Sequence, residues 1–254
     1  MSDVAIPGRR RWPLRLAVAL VAVAAALAVA FGLYVSDYHH AGDEARELVE
    51  AGAAGSSDVC IDDGSSCVAV GDPTCEYGLV LYPGAKVEAE AYVPLARKIA
   101  RRGVFCVIAR MPCNLAVLDK DAASALIAAY PCPSHWWVGG HSLGGAMAAS
   151  YAASNADKVE GVAFLAAYPP RNVSLSGLDE LLVYGSNEGV VSRERFDAFL
   201  ATLDPAQVCE IEGGNHSQFG DYGTQPGDDD ATISADEQRE LAADAICDAI
   251  LGTA

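Results

Sequence analysis

The 254-residue chain has little positive charge. It contains 17 lysine and arginine residues against 34 aspartate and glutamate residues. Arg9, Arg10, Arg11 and Arg15 lie in the first fifteen positions with only Asp3 as an acidic neighbour, so the remainder has 13 basic and 33 acidic residues, a net charge of −20. A body this acidic repels phosphate backbones and does not steer anions toward itself. The composition therefore argues against nucleic-acid binding and against an anionic substrate that arrives by electrostatic steering.

The sequence also lacks the spacing of a metal site, and it has no internal repeat or low-complexity segment. None of its eight cysteines forms a C-x-x-C pair, the usual beginning of a structural zinc site. His39 and His40 have no third ligand nearby. The acidic run 228–230 is interpreted as a solvated loop rather than a calcium site. We therefore expect neither a metal nor another cofactor.

Residues 16–35 carry no charge, and as a helix they would span about 30 Å, the thickness of a bilayer core. Arginines precede this segment and acidic residues follow it, so the positive-inside rule places the N-terminus in the cytoplasm and the body outside. We expect a basic segment at 1–15, a single-pass membrane anchor at 16–35 and a stalk or linker at 36–58. One alternative is a signal peptide cleaved near Ala28-Val29-Ala30, which would release a secreted protein. The other is a buried core helix, which the preceding arginines disfavour.

An exported body with eight cysteines predicts disulfides. Spacing alone does not select the pairs, but position along the chain suggests Cys60–Cys67, Cys75–Cys132 and Cys209–Cys247. Cys106 is expected to be a buried thiol inside a strand.

From residue 77 onward, apolar runs alternate with helical patterns. Continuous apolar runs are typical of strands that are buried on both faces of a parallel sheet. We expect strands at 78–82, 104–109, 134–138, 159–166, 180–184 and 207–211, with a short edge strand at 67–70, and helices at 91–102, 121–130, 192–203 and after the capping box at 234–237. This order predicts a mostly parallel α/β sheet with helices on both faces in one domain, residues 59–254.

A sharp turn follows the strand that ends near Val138. The chain reads Gly140-His141-Ser142-Leu143-Gly144, and a helix of small residues begins at once. Between a strand and a helix, a G-x-S-x-G match predicts a nucleophilic serine on a strained turn at the carboxyl edge of the sheet. The flanking glycines let strand and helix approach closely enough to hold that turn. Ser142 is therefore the candidate nucleophile.

A serine hydroxyl needs a base to take its proton, and the base needs an acceptor to orient it. His216 follows a strand, so it can reach the sheet edge of Ser142, whereas His135 begins a strand and lies at the opposite edge. Glu188 is the only carboxylate in the loop after the strand at 180–184. These positions predict a triad in the chain order Ser142, Glu188, His216.

Acyl transfer at a serine also requires two N–H donors for the oxygen that becomes negative. The N–H of Leu143 follows the nucleophile at the start of a helix. The turn 83–85, which follows the strand at 78–82, should supply the second donor from the N–H of Ala85.

These segments together resemble the α/β-hydrolase superfamily, in the small cap-less group that includes dienelactone-hydrolase-like proteins and membrane-anchored bacterial relatives. The similarity covers about residues 77–251, and it is carried by Tyr82-Pro83-Gly84-Ala85 and by the motifs at 140–144, 185–189 and 213–220. Glu188 stands where the family more often has aspartate, and Pro83 replaces the histidine common in the oxyanion loop. The resemblance implies an α/β-hydrolase fold and hydrolysis of a carboxylic ester or thioester without a metal. Since residues 168–177 leave no room for a cap domain, we expect an open site.

The sequence therefore predicts a membrane-tethered serine hydrolase that forms an acyl-enzyme at Ser142 and acts on a small-molecule or envelope ester. Two alternatives remain. The first is a catalytically silent hydrolase fold that serves as an envelope binding or scaffold protein. The second is an acyltransferase that uses the same triad.

Overall fold

The structure, a computed structural model, describes residues 12–252, so the arginines at 9–11 lie outside the described residues. The chain divides into two compact units, one that ends at Asp37 and one that begins at Tyr38. The first unit contains helix α1, Trp12–Ser36. Its segment Leu16–Ser36 has a mean hydropathy of 2.7 and no buried residues. By length and composition this helix can cross a membrane, a property that anchors and signal sequences share.

The second unit is built on one eight-stranded sheet. Its strands are β1 (Ile61–Asp63), β2 (Cys67–Val70), β3 (Tyr77–Tyr82), β4 (Val104–Ala109), β5 (His135–His141), β6 (Gly161–Leu165), β7 (Asp179–Asn187) and β8 (Val208–Asn215). They lie in the order β1-β2-β4-β3-β5-β6-β7-β8. The pairs β1–β2 and β2–β4 are antiparallel and all the others are parallel. The structure thus confirms the predicted mostly parallel sheet.

Six α-helices accompany the sheet in residues 38–252. They are α2 (Asp43–Ala53), α3 (Val93–Ala100), α4 (Ala122–Ala129), α5 (Leu143–Ser154), α6 (Arg193–Leu200) and α7 (Ala235–Leu251). Residues of α2, α3 and α7 belong to one buried apolar cluster, and residues of α4, α5 and α6 belong to another. The helices therefore cover both faces of the sheet, as predicted.

Strand β3 shows how the sheet separates the two clusters. Leu79 and Leu81 pack in the cluster of α3 and α7, while Val80 and Tyr82 pack in the cluster of α5. All four side chains are fully buried. Because successive side chains of a strand point to opposite faces, a continuous apolar run is what a sheet covered on both sides requires.

The start of the sheet differs from the sequence prediction. Strand β1 was not expected, because its sequence Ile-Asp-Asp contains one apolar residue. It pairs with β2, so β2 lies inside the sheet and is not the predicted edge strand.

Residues 38–58, within the segment predicted as a stalk or linker, contact the body of the second unit. His39 forms a parallel bridge with Val87, just after the turn 83–85. Farther on, Gly42 N–H donates to the Asp221 carbonyl at 2.6 Å, and Ala45 at the start of α2 is fully buried. These contacts connect the beginning of the unit to loops at the carboxyl edge of the sheet.

The predicted disulfides are wrong in this structure, where all eight cysteines are free thiols. Strands β1 and β2 pair with Ile61 opposite Val70, which places Cys60 about four residues, roughly 13 Å, along the ladder from Cys67. A disulfide requires Cα atoms within about 7 Å. The other two predicted disulfides are absent for different reasons. Cys75 and Cys132 precede β3 and β5 by two and three residues, so the paired register of these strands does not hold them opposite each other, and the buried Cys247 thiol faces the Ile99 carbonyl at 3.8 Å rather than Cys209.

Candidate active site

Ser142 lies on a strained turn between β5 and α5. Its φ of 53° and ψ of −122° are unusual for a residue with a side chain, and such a conformation costs about 1–3 kcal/mol. The Ser142 N–H donates to the Leu165 carbonyl of β6 at 3.0 Å, which holds the turn against the sheet. A Cβ atom at Gly144 would overlap the carbonyl oxygens of Tyr82 and Pro83. The close approach of α5 to β3 therefore requires glycine at position 144.

His216 and Glu188 are brought together by the register of the last two strands. Asn187 pairs with Asn215 at the ends of β7 and β8, so the residue that follows each strand emerges at the same edge. His216 Nδ1 and Glu188 Oε2 are 2.8 Å apart, and both side chains are buried. The other Glu188 oxygen accepts the N–H groups of Val190 and Val191 at 2.8 and 3.0 Å. The carboxylate is thus fixed on both oxygens.

This arrangement leaves the second ring nitrogen of His216 able to accept a proton. With Nδ1–H donated to the carboxylate, Nε2 carries a lone pair. Nε2 is buried, and it has no hydrogen-bond partner among residues 12–252. No hydrogen bond joins Ser142 to His216 within this described part of the chain. The His216 ring instead lies 4.4 Å from the ring of His141, which directly precedes the serine. Catalytic hydrogen bonds are often loose in free enzymes and shorten when substrate binds.

Two polar residues that hold the His216 loop were missed by the sequence analysis. Asp228, interpreted there as part of a solvated loop, accepts the N–H of His216 at 3.1 Å and the N–H of Ser217 at 2.8 Å. Gln238 of α7 is fully buried and forms two hydrogen bonds with the backbone of Asn215, at 2.9 and 2.7 Å. No sequence pattern signals these roles, because both contacts join residues separated by an irregular loop.

The turn after β3 presents one open N–H group. Gly84 N–H donates to the Tyr92 hydroxyl at 3.0 Å, Lys86 N–H to the Asn114 carbonyl at 2.7 Å, and Val87 N–H to the Gly84 carbonyl at 3.3 Å. Pro83 has no N–H. Within the described chain, Ala85 N–H is therefore the only backbone N–H of residues 83–87 without an acceptor. It is available to bind a ligand oxygen.

The N–H of Leu143 is the other predicted oxyanion donor. Leu143 is the first residue of α5, where an N–H has no acceptor inside its own helix and lies at the positive end of the helix dipole. Tyr82, the last residue of β3, pairs with Gly140 near the end of β5. The turns that carry Ala85 and Leu143 thus leave the same edge of the sheet.

Ser142 opens into a cleft of about 390 Å³. Its lining is mostly apolar and comes from the start of α5, the loop after β6 and the loop after Glu188: Leu143, Ala146, Met147, Ala166, Ala167, Tyr168, Pro170, Val190 and Val191, with Ser192 and Arg195. The Arg195 guanidinium lies over the Tyr168 ring, 4.7 Å from its centre. Residues 166–178 join β6 to β7 without a helix or strand, so no cap domain covers this cleft. In residues 12–252, no three His, Cys, Asp or Glu side chains form a group able to hold a metal ion.

Comparison with solved structures shows the fold. The chain resembles a predicted CIB-like hydrolase from Thermoplasma acidophilum (13% identity, TM-score 0.51), with 75% of this chain and 98% of that one covered. It also resembles ATU1826, a putative alpha/beta hydrolase from Agrobacterium tumefaciens (16% identity, TM-score 0.52, 76% and 97% covered). A third similar structure is Est1E from Butyrivibrio proteoclasticus (14% identity, TM-score 0.52, 77% and 100% covered). At these identities the likeness establishes the fold alone.

The family is established by the sequence itself. None of the curated proteins matches the chain. Residues 78–240, more than half of the sequence, match the model described as the alpha/beta hydrolase family. This span includes β3 with its turn, the Ser142 turn, Glu188 and His216. The chain belongs to the alpha/beta hydrolase family.

Proposed function

We propose that the protein is a serine hydrolase that cleaves a carboxylic ester or thioester through an acyl-enzyme, with Ser142, His216 and Glu188 as its catalytic triad. The observation that carries the proposal is the buried His216–Glu188 pair, whose 2.8 Å hydrogen bond leaves Nε2 of the histidine without a partner among the described residues. Ser142 directly follows β5 and His216 directly follows β8, so both residues lie at the same edge of the sheet. A histidine oriented by a carboxylate beside a strained serine is the arrangement of a nucleophile and its base.

In the proposed reaction, Ser142 Oγ attacks the carbonyl carbon while His216 Nε2 takes the hydroxyl proton. Glu188 holds the imidazole in the tautomer that can accept this proton and stabilises the imidazolium that results. The N–H groups of Ala85 and Leu143 bind the oxygen that becomes negative, and each such donor is typically worth about 10²–10³ in rate. His216 then returns its proton to the leaving alkoxide or thiolate, and a water molecule attacks the acyl-enzyme by the same steps.

The cleft favours an acyl group of modest size. Its apolar lining and volume of about 390 Å³ suit a small or extended chain rather than a long buried one. On the cell surface, the proposed setting is a single-pass anchor formed by α1, with the N-terminus in the cytoplasm and the hydrolase unit outside. A signal peptide that is cleaved to release a secreted enzyme is the alternative.

The test is hydrolysis of a panel of short p-nitrophenyl esters, thioesters and amides by the full chain and by Ser142→Ala. We expect ester or thioester turnover by the parent and its loss in the variant. Ser150→Ala is the matched control, because Ser150 lies two turns farther along α5, where its hydroxyl donates to the Ala146 carbonyl at 2.9 Å. Full activity of Ser142→Ala would overturn the proposal.

The two other candidate functions give different outcomes in the same assays. A silent binding or scaffold protein would hydrolyse no member of the panel and would not react with a fluorophosphonate probe. An acyltransferase would react with the probe, but it would give an ester of an added alcohol as the main product in place of the free acid.

A further inference from the structure

We infer that Tyr92 and His141 are positioning residues that hold the oxyanion turn, residues 83–85, in the geometry that aims the Ala85 N–H. The inference rests on the proposed function, and it adds two residues that touch no substrate. Neither residue was assigned a role by the sequence analysis.

The Tyr92 hydroxyl is the contact point between the turn and the nucleophile strand. Tyr92 ends a short helical turn, Ala89–Tyr92, that directly precedes α3, and its side chain is fully buried. Its oxygen accepts the Gly84 N–H at 3.0 Å and lies 2.8 Å from Nδ1 of His141. His141 immediately precedes Ser142. One buried hydroxyl therefore connects the residue before Ala85 to the residue before the nucleophile.

The direction of these hydrogen bonds follows from the charge state of His141 together with the single hydrogen of the Tyr92 hydroxyl. Burial lowers the pKa of His141 well below its usual value, and the electrostatic effect of the neighbouring His216 lowers it further, while a hydrogen bond with the His216 backbone acts in the opposite direction. His141 is therefore neutral, with its proton on one ring nitrogen. The Tyr92 hydroxyl accepts the Gly84 N–H and has one hydrogen of its own, so we assign that hydrogen to a bond with Nδ1 of His141 and the imidazole proton to Nε2. A protonated His141 would instead present a second donor to the Tyr92 oxygen and break this sequence of bonds.

A neutral His141 also suits the chemistry proposed for its neighbour. The two imidazole rings are 4.4 Å apart, and His216 becomes an imidazolium during each half-reaction. A second cation at that distance would oppose this charge. His141 thus supports the turn with a polar contact that adds no charge beside the base.

Packing fixes the same contact sterically. A Cβ atom at Gly84 would lie 2.8 Å from His141 Nδ1 and 3.0 Å from the Tyr92 hydroxyl, so only glycine fits above this pair. Lys86 N–H, on the other side of Ala85, is held by the Asn114 carbonyl. Ala85 therefore lies between two anchored residues. Removing the Tyr92 hydroxyl would free one of these anchors and leave the other intact.

Tyr82 provides the matched control. Its hydroxyl is also buried, donates to the Lys120 carbonyl and accepts the Ala123 N–H, both at 2.8 Å. Tyr82 and Ala123 belong to the opposite apolar cluster, and neither hydrogen-bond partner is a residue of the oxyanion turn. Tyr82→Phe and Tyr92→Phe therefore each remove one buried hydroxyl with two hydrogen bonds, but only Tyr92→Phe removes a contact of Gly84.

The experiment measures kcat and KM on a p-nitrophenyl ester for the parent, Tyr92→Phe and Tyr82→Phe. It also measures the inhibition constant of a boronic acid, which forms a tetrahedral adduct with the serine. We expect Tyr92→Phe to lower kcat by about 10- to 100-fold, a fraction of what loss of a whole oxyanion donor costs. The boronic acid should bind more weakly by a similar factor, with KM within about threefold of the parent value. Tyr82→Phe should lose much less kcat than Tyr92→Phe even if its melting temperature falls equally.

Two further variants keep the test decisive if Tyr92→Phe does not fold. His141→Gln retains an acceptor for the tyrosine and should keep most of the activity, while His141→Leu should match the loss expected of Tyr92→Phe. Equal kcat values for Tyr92→Phe, Tyr82→Phe and the parent, or equal activity of the two His141 variants, would overturn the inference. Failure of the proposed function is a separate result, since the parent would then be inactive or Ser142→Ala would be active.

Discussion

Replacing Glu188 with glutamine tests the orientation of His216. The hydrogen bond to the buried carboxylate is charge-assisted and worth about 1.5–3 kcal/mol, so its weakening alone predicts a loss of roughly 10- to 150-fold in kcat. The structure indicates that the loss of kcat is larger than this. The N–H groups of Val190 and Val191 both need the oxygen that faces them, so the glutamine carbonyl should take that position.

The glutamine NH₂ group then faces Nδ1 of His216. As a donor, it forces the histidine proton onto Nε2, and this tautomer cannot accept the Ser142 proton. In a serine-protease triad, the equivalent loss of the correct tautomer lowers kcat about 10⁴-fold. We therefore expect Glu188→Gln to lose about 10³–10⁴ in kcat, and Glu188→Asp, which keeps the charge on a shorter arm, to lose less.

The assay is steady-state hydrolysis of a p-nitrophenyl ester, with thermal unfolding to confirm that the variants are folded. Glu194→Gln is the matched control, because Glu194 is exposed in the first turn of α6 and makes no contact with His216. A loss below tenfold in folded Glu188→Gln would refute the assignment of Glu188 as the orienting acid.

Three further predictions follow from other contacts. Asp228→Asn should lower kcat about 10- to 100-fold, because the amide cannot accept both backbone N–H groups of the His216 loop. Asp230→Asn in the same loop should have no effect. Equal kinetics for the two variants would contradict the role of Asp228 in holding this loop. Lys98 and Arg102 lower the pKa of Glu240 to about 2, so the link between α3 and α7 is fully formed above the usual pKa of 4.5 and is lost as the pH falls toward 2. Melting temperatures of the parent and Glu240→Gln should therefore differ at pH 6 and converge near pH 2, and a constant difference would exclude this link. Finally, a thiol reagent should label the exposed Cys60, Cys113 and Cys132 in the folded protein without prior reduction. It should not label the buried Cys106, whose pKa is raised by burial. Labelling of the exposed cysteines that requires a reductant would restore the disulfide prediction.

The sequence was sufficient to predict the elements whose signal is local. The apolar run of β3 and the Gly140–Gly144 turn before α5 each predict their structure without knowledge of the rest of the chain. The rule that loops after parallel strands meet at one edge then places Ser142, Glu188 and His216 on the same side of the sheet. Their position at one edge of the sheet follows from topology, and topology follows from the alternation of strands and helices.

Features that depend on register or on distant partners were not predictable in the same way. β1 is short and acidic, so only its pairing with β2 identifies it as a strand. The Cys60–Cys67 disulfide was predicted from sequence separation, whereas the ladder between β1 and β2 sets the actual spacing. Asp228 was interpreted as solvated because its acceptor role appears only when the loop folds back onto His216.

The central claim is that Ser142 is the one serine activated by a base. The most direct measurement is reaction of the full chain with a fluorophosphonate followed by peptide mapping in a mass spectrometer. The account predicts a single adduct, on Ser142, that disappears in His216→Ala at the same pH and concentration of probe. An adduct on another serine, or labelling of Ser142 at the parent rate in His216→Ala, would contradict it.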